Sequence, residues 1–156
     1  MSSISETQSN AQAAADRQSK SRISFPLAGE GAFLHFSHKG IAALEGAAGA
    51  IIPDWMDRGF NSFGLIERLT LDGNATMIRA ILDNGLKRLG DDGKPTPMAE
   101  VDLDEIDWPM GEVARPALEV ICYAYHGRTY SEVLAELTAA RQAEEAERQK
   151  AKEEAA

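Results

Sequence analysis

The stretch ATMIRAILDNGLKRL, residues 75–89, decides how this chain is read. Ile78, Ile81, Leu82, Leu86 and Leu89 recur every three or four residues, which makes one wide apolar stripe on an α-helix. Asp72 or Asn74 can cap its start, because a short polar side chain accepts the free N–H groups of a first helical turn. Gly85 falls on the same stripe, where the lack of a side chain permits close approach of another helix, and Gly90 ends the run. The spacing predicts a helix over 75–89, buried along one side, with the remaining elements arranged around it.

Toward the N-terminus the next segment, residues 53–69, is less regular. Pro53 and Asp54 suit a helix start and Leu65, Ile66 and Leu69 suit its last turns. Gly59 and Gly64 interrupt the middle, each costing about 1 kcal/mol relative to Ala in a helix. A broken or two-piece helix is expected. Before it, Ile41, Leu44 and Ala48 recur at helical spacing from about Ser37, with Gly49 as a stop and Glu45 at the edge of the stripe. Residues 22–37 read as a β-hairpin: Ile23, Phe25 and Leu27 alternate with polar positions or Pro26, the turn is Ala28-Gly29-Glu30-Gly31, and Phe33-Leu34-His35-Phe36 returns. Pro26 lacks an N–H, which places the first strand on an edge. A lone hairpin is marginal in water, so it is expected to pack on the helices.

Toward the C-terminus, residues 90–107 read as a polar loop, with Gly93, Pro95 and Pro97 near its start. Asp107-Trp108-Pro109 opens a helix buried through Leu118, Ile121, Cys122 and Tyr125, and Gly127 closes it. Thr129-Tyr130-Ser131-Glu132 fits a capping box for a last helix packed through Tyr130, Val133, Leu134 and Leu137. Beyond Leu137 the apolar stripe stops while helix propensity persists. Such an extension is marginal alone, so it either frays or waits for a partner. No internal repeat is present.

The fold class that follows is mainly α with a small N-terminal β-hairpin. Residues 1–21 are rich in Ser, Gln, Ala and Asn, with Ile4 alone strongly apolar, and are expected to be disordered. Residues 22–142 form the hairpin-plus-helix domain, and 143–156 a charged helical or frayed tail. With 156 residues the chain suits a single core. Its net charge of −9, with basic residues scattered among more numerous acids, argues against nucleic-acid binding, which needs a basic face. There is no signal-peptide pattern, and no apolar run approaches the ~18–20 residues of a membrane span. One cysteine, Cys122, allows no internal disulfide and suits a reducing cytosol.

Candidate chemistry is sparse. His35 and His38 straddle a strand end and a helix start, His126 lies far away, and no CxxC or HExxH occurs, so no metal site is expected. Cys122 and His126 are four apart on a helix, but Cys122 sits inside the apolar stripe, where cysteine is ordinarily an inert packing residue. Asp102, Asp104, Glu105 and Asp107 lack the spacing and glycine of a calcium loop and read as a solvated helix approach, or as an acidic contact for a basic partner. Gly29-x-Gly31 and Gly90-x-x-Gly93-Lys94 are incomplete as phosphate loops. No catalytic residue and no cofactor are expected. Trp55, Phe60 and Phe63 lie in the glycine-broken segment; any left exposed would be interface anchors.

The order of the pieces resembles the tail assembly chaperones of gene transfer agents and siphophages. In that family a short hairpin precedes a helix with a Leu–Glu…Gly signature, and a later helix ends in Gly–Leu. The corresponding pieces are Ile23–Phe36, Leu44-Glu45 with Gly49, and Ile78-Arg79-Ala80-Ile81-Leu82 leading to Gly85-Leu86. The similarity covers residues 22–90; the aromatic, glycine-rich region 50–64 and the long loop 90–107 depart from the pattern. The resemblance implies a protein of the bacterial host cytoplasm that escorts the tape measure protein, or tail tube protein subunits, and is absent from the mature particle. It implies no activity as an enzyme, and self-association is compatible with it. The binding residues it suggests are Trp55, Phe60, Phe63 and Gly85, together with Glu144, Glu145 and Glu147 of the tail. Three other classes remain: an acidic regulatory adaptor or inhibitor, an enzyme built on Cys122, His126 and the acidic loop, and a structural tail or neck component, which would be present in purified particles.

Overall fold

In chain order the computed structural model, which describes the backbone of residues 2–155 and the side chains of residues 9–155, runs as follows. Helix α1 (Ser2–Ser21) leads to strand β1 (Ile23–Ser24), a 3-10 turn (Pro26–Ala28) and strand β2 (Phe33–Leu34). Helices α2 (His38–Ile51), α3 (Ser62–Leu71) and α4 (Ala75–Gly85) follow, then strands β3 (Leu86–Leu89) and β4 (Pro95–Pro97). Helices α5 (Met110–His126) and α6 (Tyr130–Ala155) complete the chain. The architecture is mainly α with one small antiparallel sheet, in the order β1-β2-β3-β4.

Residues 75–89 correct the single helix expected there. Asn74, not Asp72, caps α4: its side-chain oxygen accepts the Met77 N–H at 3.0 Å. Met77, Ile78, Ile81, Leu82 and Gly85 are buried, but the helix ends at Gly85 and the chain turns into β3. Two contacts force the change. The His35 N–H donates to the Gly85 carbonyl at 2.9 Å, joining β2 to β3. The Phe36 ring lies so close to Gly85 that an added Cβ would sit 2.3 Å from Cζ. The close approach expected at Gly85 is real, but it is made by an aromatic ring and not by a helix.

The hairpin is present and is more than a hairpin. Ile23 pairs with Leu34 and Ser24 with Phe33, while Leu27 lies in the 3-10 turn and is exposed. On its other side β2 pairs with β3, Leu34 facing Leu86. The expected loop 90–107 contributes β4, which pairs Thr96 with Arg88. Gly90 donates to the Lys94 carbonyl at 2.9 Å. Antiparallel pairs alternate, so Thr96 sits at a hydrogen-bonded position and the nitrogens of Pro95 and Pro97 point away from the sheet. That outer edge therefore lacks N–H donors where a further strand would need them.

Helix α2 begins at the Ser37 cap, which accepts the Gly40 N–H at 3.1 Å, and runs through Gly49 to Ile51. Gly49 is thus no stop; Trp55 packs over it, with Nε1 at an ordinary contact distance of 3.5 Å from where a Cβ would be. The broken helix expected over 53–69 is a series of turns followed by α3, capped by Asn61 on the Gly64 N–H at 2.7 Å. Gly59, at φ 84°, supplies the left-handed backbone between the two. The core joins Phe25 and Leu34 of the sheet region to Leu44, Ile66, Ile81, Val113 and Ile121 of four helices. The expected α5–α6 hairpin is present: Gly127 is left-handed at φ 71°, and the Thr129 hydroxyl accepts the Glu132 N–H at 3.2 Å.

Residues 2–21, expected to be disordered, are helical here. Ala and Gln favour helix, and the end of α1 is tied down by a Lys20–Glu132 ion pair at 2.9 Å and by His35 Nδ1 lying 3.0 Å from the Ser21 carbonyl. Composition did indicate the lack of burial: residues 9–19 are exposed. The Ile4 side chain lies outside the described residues.

Candidate protein-binding site

The three aromatic candidates form a half-buried band. Trp55 fills the space over Gly49, and the Phe60 N–H donates to the Trp55 carbonyl at 3.1 Å. Phe63 meets Tyr125 in a tilted contact and His126 edge-to-face, with ring centroids 5.5 and 5.0 Å away. None of the three aromatics is freely exposed; Met56, 72% exposed, is the apolar side chain that the band presents to solvent. Phe63 also packs with Leu118, Cys122, Tyr130, Val133 and Leu134, so the band runs into the foot of α6.

Glu45 belongs to the same band, which its position beside Leu44 did not reveal. It lies one turn before Gly49 on α2 and faces Tyr125. Burial pushes the Tyr125 hydroxyl well above its ordinary range and the Glu45 carboxylate adds to the shift. The hydroxyl has no partner at bonding distance, so Glu45 acts on it through charge. Tyr130 is pushed up to about 12, again mainly by burial and then by Glu67.

The tail candidates lie elsewhere. Glu144, Glu145 and Glu147 are exposed on α6, a 26-residue helix about 39 Å long at 1.5 Å per residue. From Ala135 onward every described residue of α6 is exposed. Glu144 pairs loosely with Arg148 at 3.6 Å, a contact too exposed to hold a helix by itself. The structure thus joins Trp55, Phe60 and Phe63 in one surface and leaves the tail glutamates on a separate arm. Gly85 is buried beneath Phe36 and belongs to neither.

The remaining chemistry is inert in arrangement. Cys122 is buried and its thiol is pushed up to about 11, by burial first and by Glu119 next, the opposite of an activated nucleophile. His126 is exposed against Phe63. No three His, Cys, Asp or Glu side chains among the described residues are placed to hold a metal ion. Of the acidic run, Asp104 pairs with Arg79, and the Asp102 carboxylate accepts the Asp104 N–H at 3.0 Å. Among the described residues no helix is long and apolar enough to cross a membrane.

No protein-family model matches the chain, and no match was found among curated proteins or solved structures. The site is therefore read from its own geometry, in which a packed aromatic band leads into an unpartnered helical arm.

Proposed function

We propose that this chain is a non-catalytic tail assembly chaperone, binding the tape measure protein, tail tube subunits or both during phage tail morphogenesis. The observation that carries the proposal is the convergence of the three pieces on which the resemblance rests. The hairpin, the Leu44-Glu45…Gly49 helix and the Gly85-Leu86 junction pack into one unit: β2 pairs with β3, and α2 crosses α4 where a Cβ on Gly40 would lie 3.4 Å from the Asn84 carbonyl oxygen. The partner surface is the band around Trp55, Met56, Phe60 and Phe63, extended by α6 with Glu144, Glu145 and Glu147.

An acidic protein with an exposed helical arm suits a partner whose long helices carry apolar and basic stripes before assembly. An arm that pays an ordering cost on binding keeps the association reversible, as an escort requires. The work would be done in the cytoplasm of the bacterial host, and the protein would be absent from the mature particle.

The test is affinity capture of the tagged protein from producing cells, with mass spectrometry of both the eluate and finished particles. Capture of a very long helical tail protein or a tube subunit, with this chain missing from particles, is the expected result. Capture of a host regulator or enzyme alone overturns the proposal in favour of an adaptor or inhibitor.

A further inference from the structure

Residues 99–108 cross α4 without joining it. Their backbone hydrogen bonds stay local: Ala99 donates to the Pro97 carbonyl at 3.2 Å, Val101 to Met98 at 3.2 Å and Glu105 to Asp102 at 3.1 Å. Among the described residues, none of the segment's backbone groups bonds to the backbone of α4 or α5. The attachment is by side chains. Val101, Leu103, Ile106 and Trp108 are half-buried against the core, and two ion pairs, Arg79 with Asp104 and Arg88 with Glu100, lie at the rim.

The contact is narrow. Two solvent-open clefts, about 460 and 210 Å³, flank the segment, and Arg79, Leu82 and Leu103 line both. Both rim pairs are exposed, so each contributes little and is weakened by salt. The two ends, in contrast, are fixed: Pro97 in β4 and Pro109 at the start of α5.

We propose that residues 99–108 are a strap that lifts from α4 as a unit while the rest of the domain stays folded. Lifting breaks no backbone hydrogen bond to α4 or α5; only the Ala99–Pro97 and Val101–Met98 bonds, at the hinge end beside β4, reach residues outside the strap. It bares Ile78 and Leu82 of α4 and Leu86 of β3, with Arg79 and Arg88 released at the rim. This is local opening at a free energy below that of global unfolding, and it holds whether or not the chaperone reading does.

The test uses two thiols in one molecule. Leu82→Cys places a thiol under the strap, at a position 2% exposed, while the native Cys122, fully buried between α5 and α6, reports global opening. Alkylation of the folded, full-length protein without denaturant is followed at each site by mass spectrometry. The expected result is labelling at position 82 roughly ten-fold or more faster than at Cys122, accelerated a further few-fold by 0.5 M salt (an arbitrary high-salt condition, roughly a 4 Å screening length) or by Arg79→Gln with Arg88→Gln. Because the ratio within one molecule is read, a general loss of stability in Leu82→Cys does not imitate the result. Val113→Cys, a smaller change of volume in the same cleft, replaces it if that variant does not fold. Equal rates at the two thiols in a folded variant, or a position-82 rate indifferent to salt and to both Arg substitutions, overturn the strap.

Discussion

Replacing Gly85 by Ala adds one methyl group where the structure has no room for it. Its Cβ would stand 2.3, 2.6 and 2.9 Å from three atoms of the Phe36 ring, at least 1.1 Å short of ordinary contact at 3.4 Å for the nearest. Phe36 is only 6% exposed, and the ring is rigid, so it cannot fold its tip away; ring or α4 must move. Overpacking of this kind costs about 1–3 kcal/mol. Gly85 does not have a positive φ, so the substitution carries no backbone strain, and the gain in helix propensity offsets less than about 1 kcal/mol of the loss. A 2.3 Å approach to a rigid ring belongs at the upper end of that range, so the expected net destabilisation is about 1–2 kcal/mol, at roughly 2–4 °C in Tm per kcal/mol.

Two companions isolate the cause. Gly46 lies in the middle of α2 with nothing within 4 Å of its would-be Cβ and no positive φ, so Gly46→Ala should stabilise by about 0.4–1 kcal/mol. Phe36→Leu removes the obstructing ring, so Gly85→Ala on that background should cost at least about 1 kcal/mol less than on the native one. Urea unfolding followed by circular dichroism gives all four values. A Gly85→Ala variant as stable as the native protein, or a cost unchanged by Phe36→Leu, refutes the account of why α4 stops at this residue.

Three further perturbations test other parts of the fold. Asn61→Ala and Asn74→Ala each remove the side-chain acceptor from a helix start, at 2.7 and 3.0 Å, and should each lower urea-unfolding stability by about 0.5–2 kcal/mol. Replacing Pro95 and Pro97 together by Val gives the outer edge of β4 two outward N–H groups; more concentration-dependent association than the native protein shows in light scattering is expected, and a signal equal to the native one would count against the edge assignment. The Lys20–Glu132 pair makes the anchoring of α1 depend on pH. Its partner lowers Glu132, so that contribution is present above the ordinary value of 4.5 and is lost as pH falls through the lowered one. Lys20 is raised by the same pair, so its contribution persists to 10.5 and is lost at higher pH. Intrinsic-rate-corrected amide exchange of residues 9–21 should therefore rise on acidification below 4.5 and change little between there and neutrality.

Most of the helical pieces were legible because each carries its own periodic stripe, and α2, α3, α4 and α6 a side-chain cap as well. Residues 75–85 show this best, and the Thr129 half of the expected capping box is present, while the Glu132 carboxylate goes to Lys20. The same periodicity misled beyond Gly85. Leu86 and Leu89 continue the count, yet Leu86 is buried in a strand and Leu89 is 53% exposed at its end. What ends the helix is the ring of Phe36 and the N–H of His35, both distant in sequence. β4 was hidden for a related reason: two prolines suppress any strand pattern, and their tolerance depends on facing outward from an edge. The anchoring of α1 by Glu132 joins opposite ends of the chain and leaves no local trace.

The candidate site divides along the same line. Leu44 is core, Glu45 faces Tyr125, Gly49 lies under Trp55, and Gly85 makes room for Phe36. Every member of that motif set has an internal task, so the motif is a specification of packing and a substitution there changes stability first. Phe60 and Phe63 are likewise half-spent on the core. A residue that binds a partner without already serving the fold has to be sought among those with exposure and no such task. That criterion selects Met56 on the aromatic band and Glu145 and Glu147 on the arm, because the ordering of an exposed helix past Leu137 has no stabilising burial in this chain alone. Binding energy from a partner is what would make that helix persist, so the arm, and not the motif, is where loss of binding should separate from loss of stability.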